Sequence, residues 1–112
     1  EPRGGGRRVA ELGPYRYLVA LADGEPPDTP HADAVATLAA YDAARRTELL
    51  ATLERHLADR HAGASAQALM IHPNTLRQRL QRIEELTGLD LDREDLLALE
   101  MAVKVHRLRG GA

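Results

Sequence analysis

Apolar residues recur every three or four positions along most of the chain after residue 13, a spacing that places them on one face of an α-helix. The two-residue alternation and the β-branched runs that are typical of strands do not occur. The pattern therefore predicts an all-α fold, a helical bundle of about six helices without strands.

Prolines mark the starts of the first two predicted helices. Pro14 begins a helix whose inward side chains are expected to be Tyr15, Leu18, Val19 and Ala22. After a proline-rich loop, Thr29 is placed to cap a second helix in which Pro30 takes the first position. The inward side chains of this second helix are expected to be Val35, Leu38 and Ala39.

Acidic residues are predicted to cap two further helices. Asp42 is expected to cap a long helix that runs to about Asp59 and forms the centre of the core. The apolar stripe of that helix consists of Leu49, Leu50, Leu53 and Leu57. Asp92 is expected to cap the last helix, with further acids in the first turn, as the helix dipole favours. The broad apolar side of the last helix consists of Leu96, Leu97, Leu99, Met101, Val103 and Leu108.

Between the central helix and the last helix, the sequence predicts a short helix from about residue 62, a tight turn, and a longer helix that begins at Pro73 and ends at Gly88. His72 is placed to cap the longer helix. A period of 3.6 residues puts Leu76, Leu80, Ile83 and Thr87 on its buried side.

The opposite side of this longer helix carries amide and guanidinium groups. Its outward and flanking side chains are Asn74, Arg77, Gln78, Gln81 and Arg82, and Arg79 is expected near the border with the core. No Asp or Glu occurs from residue 60 to residue 83, although the net charge of the chain is −2. Asn, Gln and Arg pair with base edges in the major groove of DNA, and Arg also contacts phosphates. From periodicity alone, an ordinary solvated helix face is the alternative.

Composition narrows the possible functions. With 112 residues, the chain is long enough for one modest core, and its 44% hydrophobic content argues against general disorder. The absence of cysteine excludes disulfides, thiol catalysis and thiolate metal sites. No stretch approaches the roughly 20 apolar residues of a membrane span, and no signal peptide is evident. We therefore expect a cytoplasmic protein that does not bind membranes.

The histidines do not suggest metal or catalytic chemistry. His56 and His61 are five residues apart, and no cysteine or suitably spaced carboxylate completes a zinc site near them. His72, Asn74 and Thr75 lack a third group that would orient a base and a glycine-rich turn that would bind an oxyanion. We expect no metal, no cofactor and no enzymatic activity.

The segment Leu69–Leu91 resembles the C-terminal helix-turn-helix of the PucR family of bacterial transcriptional regulators, which includes CdaR-like regulators. The shared pattern is an aliphatic residue followed by His-x-Asn-Thr-Leu-x-x-Arg-Leu-x-Arg-Ile-Glu and a Leu-x-Gly turn. Weaker similarity at residues 12–18 and 49–53 extends the resemblance over roughly residues 8–108. Two departures are His61 and Gly63, which imply a weaker cap, and Gln78, which replaces a common aromatic residue, so that base preference cannot be carried over.

The resemblance implies sequence-specific binding of double-stranded DNA by the output domain of a regulator of a catabolic operon. The fold expected is then an all-α bundle that contains a Fis-like helix-turn-helix. The residues predicted to bind DNA are Ser65, Gln67, His72, Asn74, Thr75, Arg77, Gln78, Arg79, Gln81 and Arg82. A homodimer or higher homo-oligomer is expected in the full-length protein, together with a sensor region upstream. The alternative function is a helical protein interaction or oligomerisation module that works through the last helix.

We expect residues 1–8 to form a flexible linker, residues 9–60 the supporting helices, and residues 61–109 the DNA-binding region with the C-terminal helix. The linker prediction rests on three glycines at positions 4–6 among Arg3, Arg7 and Arg8. A basic arm that enters a DNA groove is the alternative for this segment.

Overall fold

The computed structural model describes residues 29–110. They form five α-helices, which are α1 (Pro30–Arg45), α2 (Leu49–Asp59), α3 (Ala62–Leu69), α4 (Pro73–Thr87) and α5 (Leu96–Leu108). Within this range there is no strand, which confirms the predicted all-α class, but the predicted count of about six helices is not matched. The predicted linker over residues 1–8 and the helix predicted from Pro14 lie outside the described residues.

Helix α2 lies at the centre of the bundle, in contact with each of the other four helices. Its four stripe leucines, Leu49, Leu50, Leu53 and Leu57, are all buried, as predicted. They pack with Val35 and Leu38 of α1 and with Leu99 and Val103 of α5 in one apolar cluster. Each buried leucine contributes roughly 1.5–3 kcal/mol of transfer free energy, so these four outweigh any surface ion pair on the same helix.

The start of α1 agrees with the prediction, because Thr29 is its N-cap and accepts a hydrogen bond from the N–H of Ala32 at 3.0 Å. The prediction that Asp42 begins the next helix is wrong, since α1 continues through Asp42 to Arg45. Asp42 still caps α2, because its carboxylate accepts the N–H groups of Leu49 and Leu50, each at 2.9 Å. The cap therefore reaches α2 from the last turn of the preceding helix.

The predicted cap of the last helix is also corrected. Helix α5 begins at Leu96, and its N-cap is Asp95, which accepts a hydrogen bond from the N–H of Ala98 at 3.0 Å. Asp92 lies in an exposed turn before the helix. Glu94, in the same loop, pairs with Nε2 of His31 at 2.9 Å and so connects this loop to the start of α1.

The apolar side of α5 is divided between the core and the surface. Leu99 and Val103 are fully buried, whereas Leu97 is 51% exposed and Leu108 is 82% exposed. No helix among residues 29–110 has the combination of length and apolar character needed to cross a bilayer.

Four helices end on a residue in the left-handed conformation. Gly88 ends α4 with φ 76°, as predicted. The other three are not glycine, since Arg46, Arg60 and Met70 end α1, α2 and α3 with φ values of 57°, 55° and 59°. In each case the backbone N–H of this residue bonds back to a carbonyl of the preceding helix.

Candidate nucleic-acid interface

Histidines cap both helices of the α3–α4 pair. His72 accepts the N–H of Asn74 through Nδ1 at 3.0 Å, and Pro73 takes the first helical position, so both predictions are confirmed. His61 accepts the N–H of Ala64 through Nδ1 at 3.1 Å and is the N-cap of α3. Residues 70–72 form the whole connection between the two helices, which makes the pair a helix-turn-helix.

Helix α3 is held against the end of α2. Ser65 is 0% exposed, and its hydroxyl donates a hydrogen bond to Oδ2 of Asp59 at 3.2 Å. Arg55 donates two hydrogen bonds to the same carboxylate, at 2.8 and 2.6 Å, and these lower the pKa of Asp59. Ser65, which the sequence placed in the DNA-binding set, therefore faces the protein interior, whereas Gln67 on the same helix is exposed.

The buried side of α4 largely follows the predicted stripe. Leu76 and Ile83 are fully buried, and Thr87 is half-buried. Leu80 is only half-buried and packs at the edge of the core, so its predicted full burial is wrong. Leu86, which lies outside the predicted stripe, packs against the core as well.

The outward side of α4 presents the predicted polar side chains. Asn74, Arg77, Gln78 and Gln81 are all exposed, and Thr75 is half-buried at the border. Nη1 of Arg77 donates a hydrogen bond to Oδ1 of Asn74 at 2.7 Å, so these two side chains are held together over the first turn. The first acid of α4, Glu84, accepts the N–H of Leu91 at 2.8 Å and is thus turned toward the following loop.

Arg79 points from α4 toward the interior. Its side chain is half-buried, and Nη1 donates a hydrogen bond to Oγ1 of the buried Thr52 at 3.1 Å. The predicted position of Arg79 near the border of the core is confirmed, but the sequence does not indicate that Thr52 is its partner. Thr52 lies beside the leucine stripe of α2, and only the packing of α4 against α2 brings the two residues together.

Arg82 contacts α1 through Tyr41. It donates a hydrogen bond to Oη of Tyr41 at 3.4 Å and pairs with Glu85 at 3.1 Å, and these partners raise its pKa. Tyr41 was not among the predicted site residues. It packs at the edge of the core, and no local pattern in the sequence indicates its contact with α4.

Residues 29–110 bring together no group of three or more His, Asp or Glu side chains suited to a metal ion.

This geometry defines the class of the protein, a helix-turn-helix domain whose second helix presents amides and arginines on its exposed side. Residues 49–105 match the family described as the PucR C-terminal helix-turn-helix domain, and the chain belongs to this family. The match begins at the first residue of α2 and ends within α5. The chain therefore carries the DNA-binding domain of a PucR-family transcriptional regulator.

Three characterised regulators are similar to this chain. The DNA-binding transcriptional activator AdeR of Bacillus subtilis is 34% identical over 83 residues, which cover 73% of this chain and 20% of AdeR. The proline-responsive transcriptional activator PutR of the same organism is 40% identical over 84 residues, again 73% and 20% of the two chains. The carbohydrate diacid regulator of Escherichia coli is 51% identical over 47 residues, 41% of this chain and 12% of that protein.

The chain thus spans about one fifth of the length of the first two regulators. No solved structure matches it.

Proposed function

We propose that this domain recognises a specific sequence in double-stranded DNA by inserting α4 into the major groove. The observation that carries the proposal is the exposed side of α4, where Asn74, Arg77, Gln78 and Gln81 project without an acidic neighbour until Glu84. These side chains supply the donors and acceptors that distinguish base pairs in the major groove. The buried side of the same helix fixes their direction, because Leu76 and Ile83 are anchored in the core.

The contacts divide by position on the helices. Asn74, Arg77, Gln78 and Gln81 are proposed to approach base edges, whereas Thr75 and Arg82 hold the backbone. Gln67 of α3 and His72 at the start of α4 are exposed near this face and are proposed to contact the backbone as well. Ser65 and Arg79 act differently in this proposal, since their bonds to Asp59 and Thr52 support the position of α4.

The hydrogen bond between Arg77 and Asn74 has a consequence for recognition. Oδ1 of Asn74 already accepts one hydrogen bond from Arg77, while the two N–H donors of Nδ2 are directed to an acceptor on a base in this proposal. The pair restricts the conformations of both side chains before binding, which reduces the entropy lost on forming the complex.

Selection of bound sequences from a random duplex library tests the proposal directly. The wild-type domain should enrich a common sequence, and its affinity should fall with salt, since phosphate contacts release counterions. A Gln78→Ala/Gln81→Ala variant should stay folded but lose that enrichment, whereas a Thr37→Ala variant, altered at an exposed position on α1, should retain it. A wild-type domain with no enriched sequence and no salt-dependent affinity would refute the proposal.

The whole protein is proposed to be a cytoplasmic regulator of a catabolic operon that responds to an effector bound outside this domain. Support comes from family membership and from the names of the similar regulators, one of which is described as proline-responsive. These names do not identify the effector of this protein, because the similarity covers only about one fifth of each of the first two regulators.

Useful affinity is proposed to require two copies of the domain on two related half-sites. A single recognition helix neutralises few phosphates, whereas regulators of this class gain affinity by pairing half-sites about one helical turn apart. The exposed Leu97 and Leu108 on α5 favour a role of this helix in self-association, which is also the second candidate function. Sedimentation of the fragment at micromolar concentration tests this role, since a monomer would place dimerisation elsewhere in the protein.

A further inference from the structure

We propose that Arg45 at the C-terminal end of α1, together with Arg82 of α4, binds the phosphate backbone along one edge of the major groove that α4 enters, and that Tyr41 holds both guanidinium groups in place. The inference rests on the proposed DNA binding. It adds a contact from a helix outside the helix-turn-helix, and Arg45 also lies outside residues 49–105, the part of the chain that matches the family.

The two arginines meet at one aromatic ring. The guanidinium carbon of Arg45 lies 5.2 Å from the ring centroid of Tyr41, and that of Arg82 lies 5.5 Å from the same centroid. Nη2 of Arg82 also donates a hydrogen bond to Oη of Tyr41 at 3.4 Å. The end of α1 therefore lies beside the flank of α4 that carries Arg82.

The end of α1 carries two neighbouring positive charges, those of Arg45 and Arg46. Arg45 and the neighbouring Arg46 are exposed, and neither forms an ion pair with the described residues. The nearest acid on α1, Asp42, is used to cap α2, where it accepts the N–H groups of Leu49 and Leu50. Glu48, the exposed N-cap residue of α2, is the remaining acid in this turn.

The position of these charges matches the shape of the duplex. Arg79 and Arg82 reach from the same flank of α4 toward α2 and α1, so that α1 lies along that flank. A helix in the major groove has a sugar-phosphate strand on each side, with one negative charge per about 3.4 Å of axis on each strand. Arg82 on this flank, and Arg45 beside it, thus face phosphates, while the outward side of the helix faces the bases. On binding, a phosphate takes the place of Glu85, which pairs with Arg82 at 3.1 Å in the free domain. Contact with the Tyr41 ring keeps the guanidinium groups ordered before DNA arrives.

The test is the salt dependence of DNA affinity for an Arg45→Gln variant. Affinity should fall to the same extent on the selected sequence and on random duplex, and the slope of log affinity against log salt should become shallower by about 0.9, as expected for one lost phosphate contact. The matched control is Arg93→Gln, which removes the same charge from the exposed loop before α5 and should leave the slope unchanged. The enriched sequence should stay the same for both variants.

Two substitutions of Tyr41 separate positioning from charge. Tyr41→Leu keeps every charge but removes the ring, so affinity should fall about two- to fivefold on both kinds of duplex while the salt slope stays near that of the wild type. Tyr41→Phe keeps the ring and should lie closer to the wild type. Thermal melting of both variants shows whether the fold is retained, since Tyr41 packs at the edge of the core.

The failure of this inference can be distinguished from the failure of the proposed function. If the wild type binds DNA with a clear salt slope and Arg45→Gln shows the same slope and affinity, the phosphate contact is overturned while the role of α4 stands. If the wild-type domain itself shows no salt-dependent affinity, both proposals are overturned.

Discussion

Arg79 of α4 donates a hydrogen bond from Nη1 to Oγ1 of Thr52, a fully buried residue of α2, over 3.1 Å. The same hydroxyl donates to the carbonyl oxygen of Glu48 at 2.7 Å, so it acts as acceptor and donor at once. One buried hydroxyl thereby joins the helix that faces DNA in our proposal to the central helix of the core.

Thr52→Val tests this connection, because valine has nearly the same shape but no hydroxyl. The change leaves the half-buried Arg79 guanidinium without this partner, and we expect a loss of roughly 1–3 kcal/mol in the free energy of unfolding. Urea unfolding measures it. Thr37→Val, at an exposed position on α1, is the control and should change stability by less than about 0.5 kcal/mol. Equal midpoints for the two variants would show that the connection contributes nothing.

Arg77→Ala should weaken binding to the selected DNA sequence by roughly 1–3 kcal/mol, since Arg77 is proposed to contact a base edge. The residue is exposed, so the thermal melting temperature should stay close to that of the wild type. Titration of both the selected and a random duplex measures the difference. A loss of equal size on the two duplexes would instead identify Arg77 as a phosphate contact.

Ile83→Ala and Leu80→Ala compare a fully buried with a half-buried position on the same helix. Removing the Ile83 side chain should cost roughly 2–5 kcal/mol in the free energy of unfolding, and the Leu80 change should cost clearly less, because less of that side chain leaves the core. Chemical denaturation of both variants checks the order. A larger loss at Leu80 would mean that α4 is rotated relative to the structure described above.

Asp95→Ala and Asp92→Ala test which acid caps α5. Loss of the Asp95 carboxylate removes the acceptor for the N–H of Ala98 and should cost roughly 0.5–2 kcal/mol. Asp92 is exposed in the preceding turn, and its replacement should have little effect when measured at pH 7.5. A lower melting temperature for Asp92→Ala than for Asp95→Ala would identify Asp92 as the cap of α5.

Acidification should destabilise the domain through His56. Burial and then the positive charge of Arg60 lower the pKa of His56 from its usual value of 6.5, while Asp59 and Asp92 oppose the shift. Below that usual value the unfolded chain binds more protons at this position than the folded chain, so the free energy of unfolding falls as the pH falls toward the folded pKa. Denaturation at pH 7.5 and pH 6.0 should show this loss, and His56→Gln should reduce it. If His56→Gln loses as much stability as the wild type between pH 7.5 and pH 6.0, the loss comes from other titrating groups.

The features of α4 that could be predicted from sequence are local ones. His72, Pro73 and Gly88 mark its ends, and Leu76 and Ile83 mark its buried side, all within one run of contiguous residues. Caps, breakers and periodicity act over a few positions, and the pattern therefore contains enough information to place them.

Contacts between helices could not be predicted in the same way. Arg79 and Thr52 are 27 positions apart, and Arg82 and Tyr41 are 41 apart, so that only tertiary packing brings each pair together. The start of α2 was predicted too early for a related reason, because the Asp42 carboxylate reaches α2 from the preceding helix and accepts N–H groups seven and eight positions ahead. The start of α5 was misplaced because several acids in one short run could serve as its cap, and the position of the turn decided among them.

The left-handed residues that end α1, α2 and α3 are positions at which a substitution can raise the thermal stability of the domain. Arg46, Arg60 and Met70 adopt a conformation that costs a residue with a Cβ atom roughly 1–2 kcal/mol, and glycine adopts it without that cost. Glycine also increases the conformational entropy of the unfolded chain, which offsets part of this increase in stability. Met70 is the position best suited to such a change, since it is 91% exposed and its side chain contributes little to the core. Tolerance to heat could therefore be raised at a helix end, with the packed leucines and the polar side of α4 left as they are.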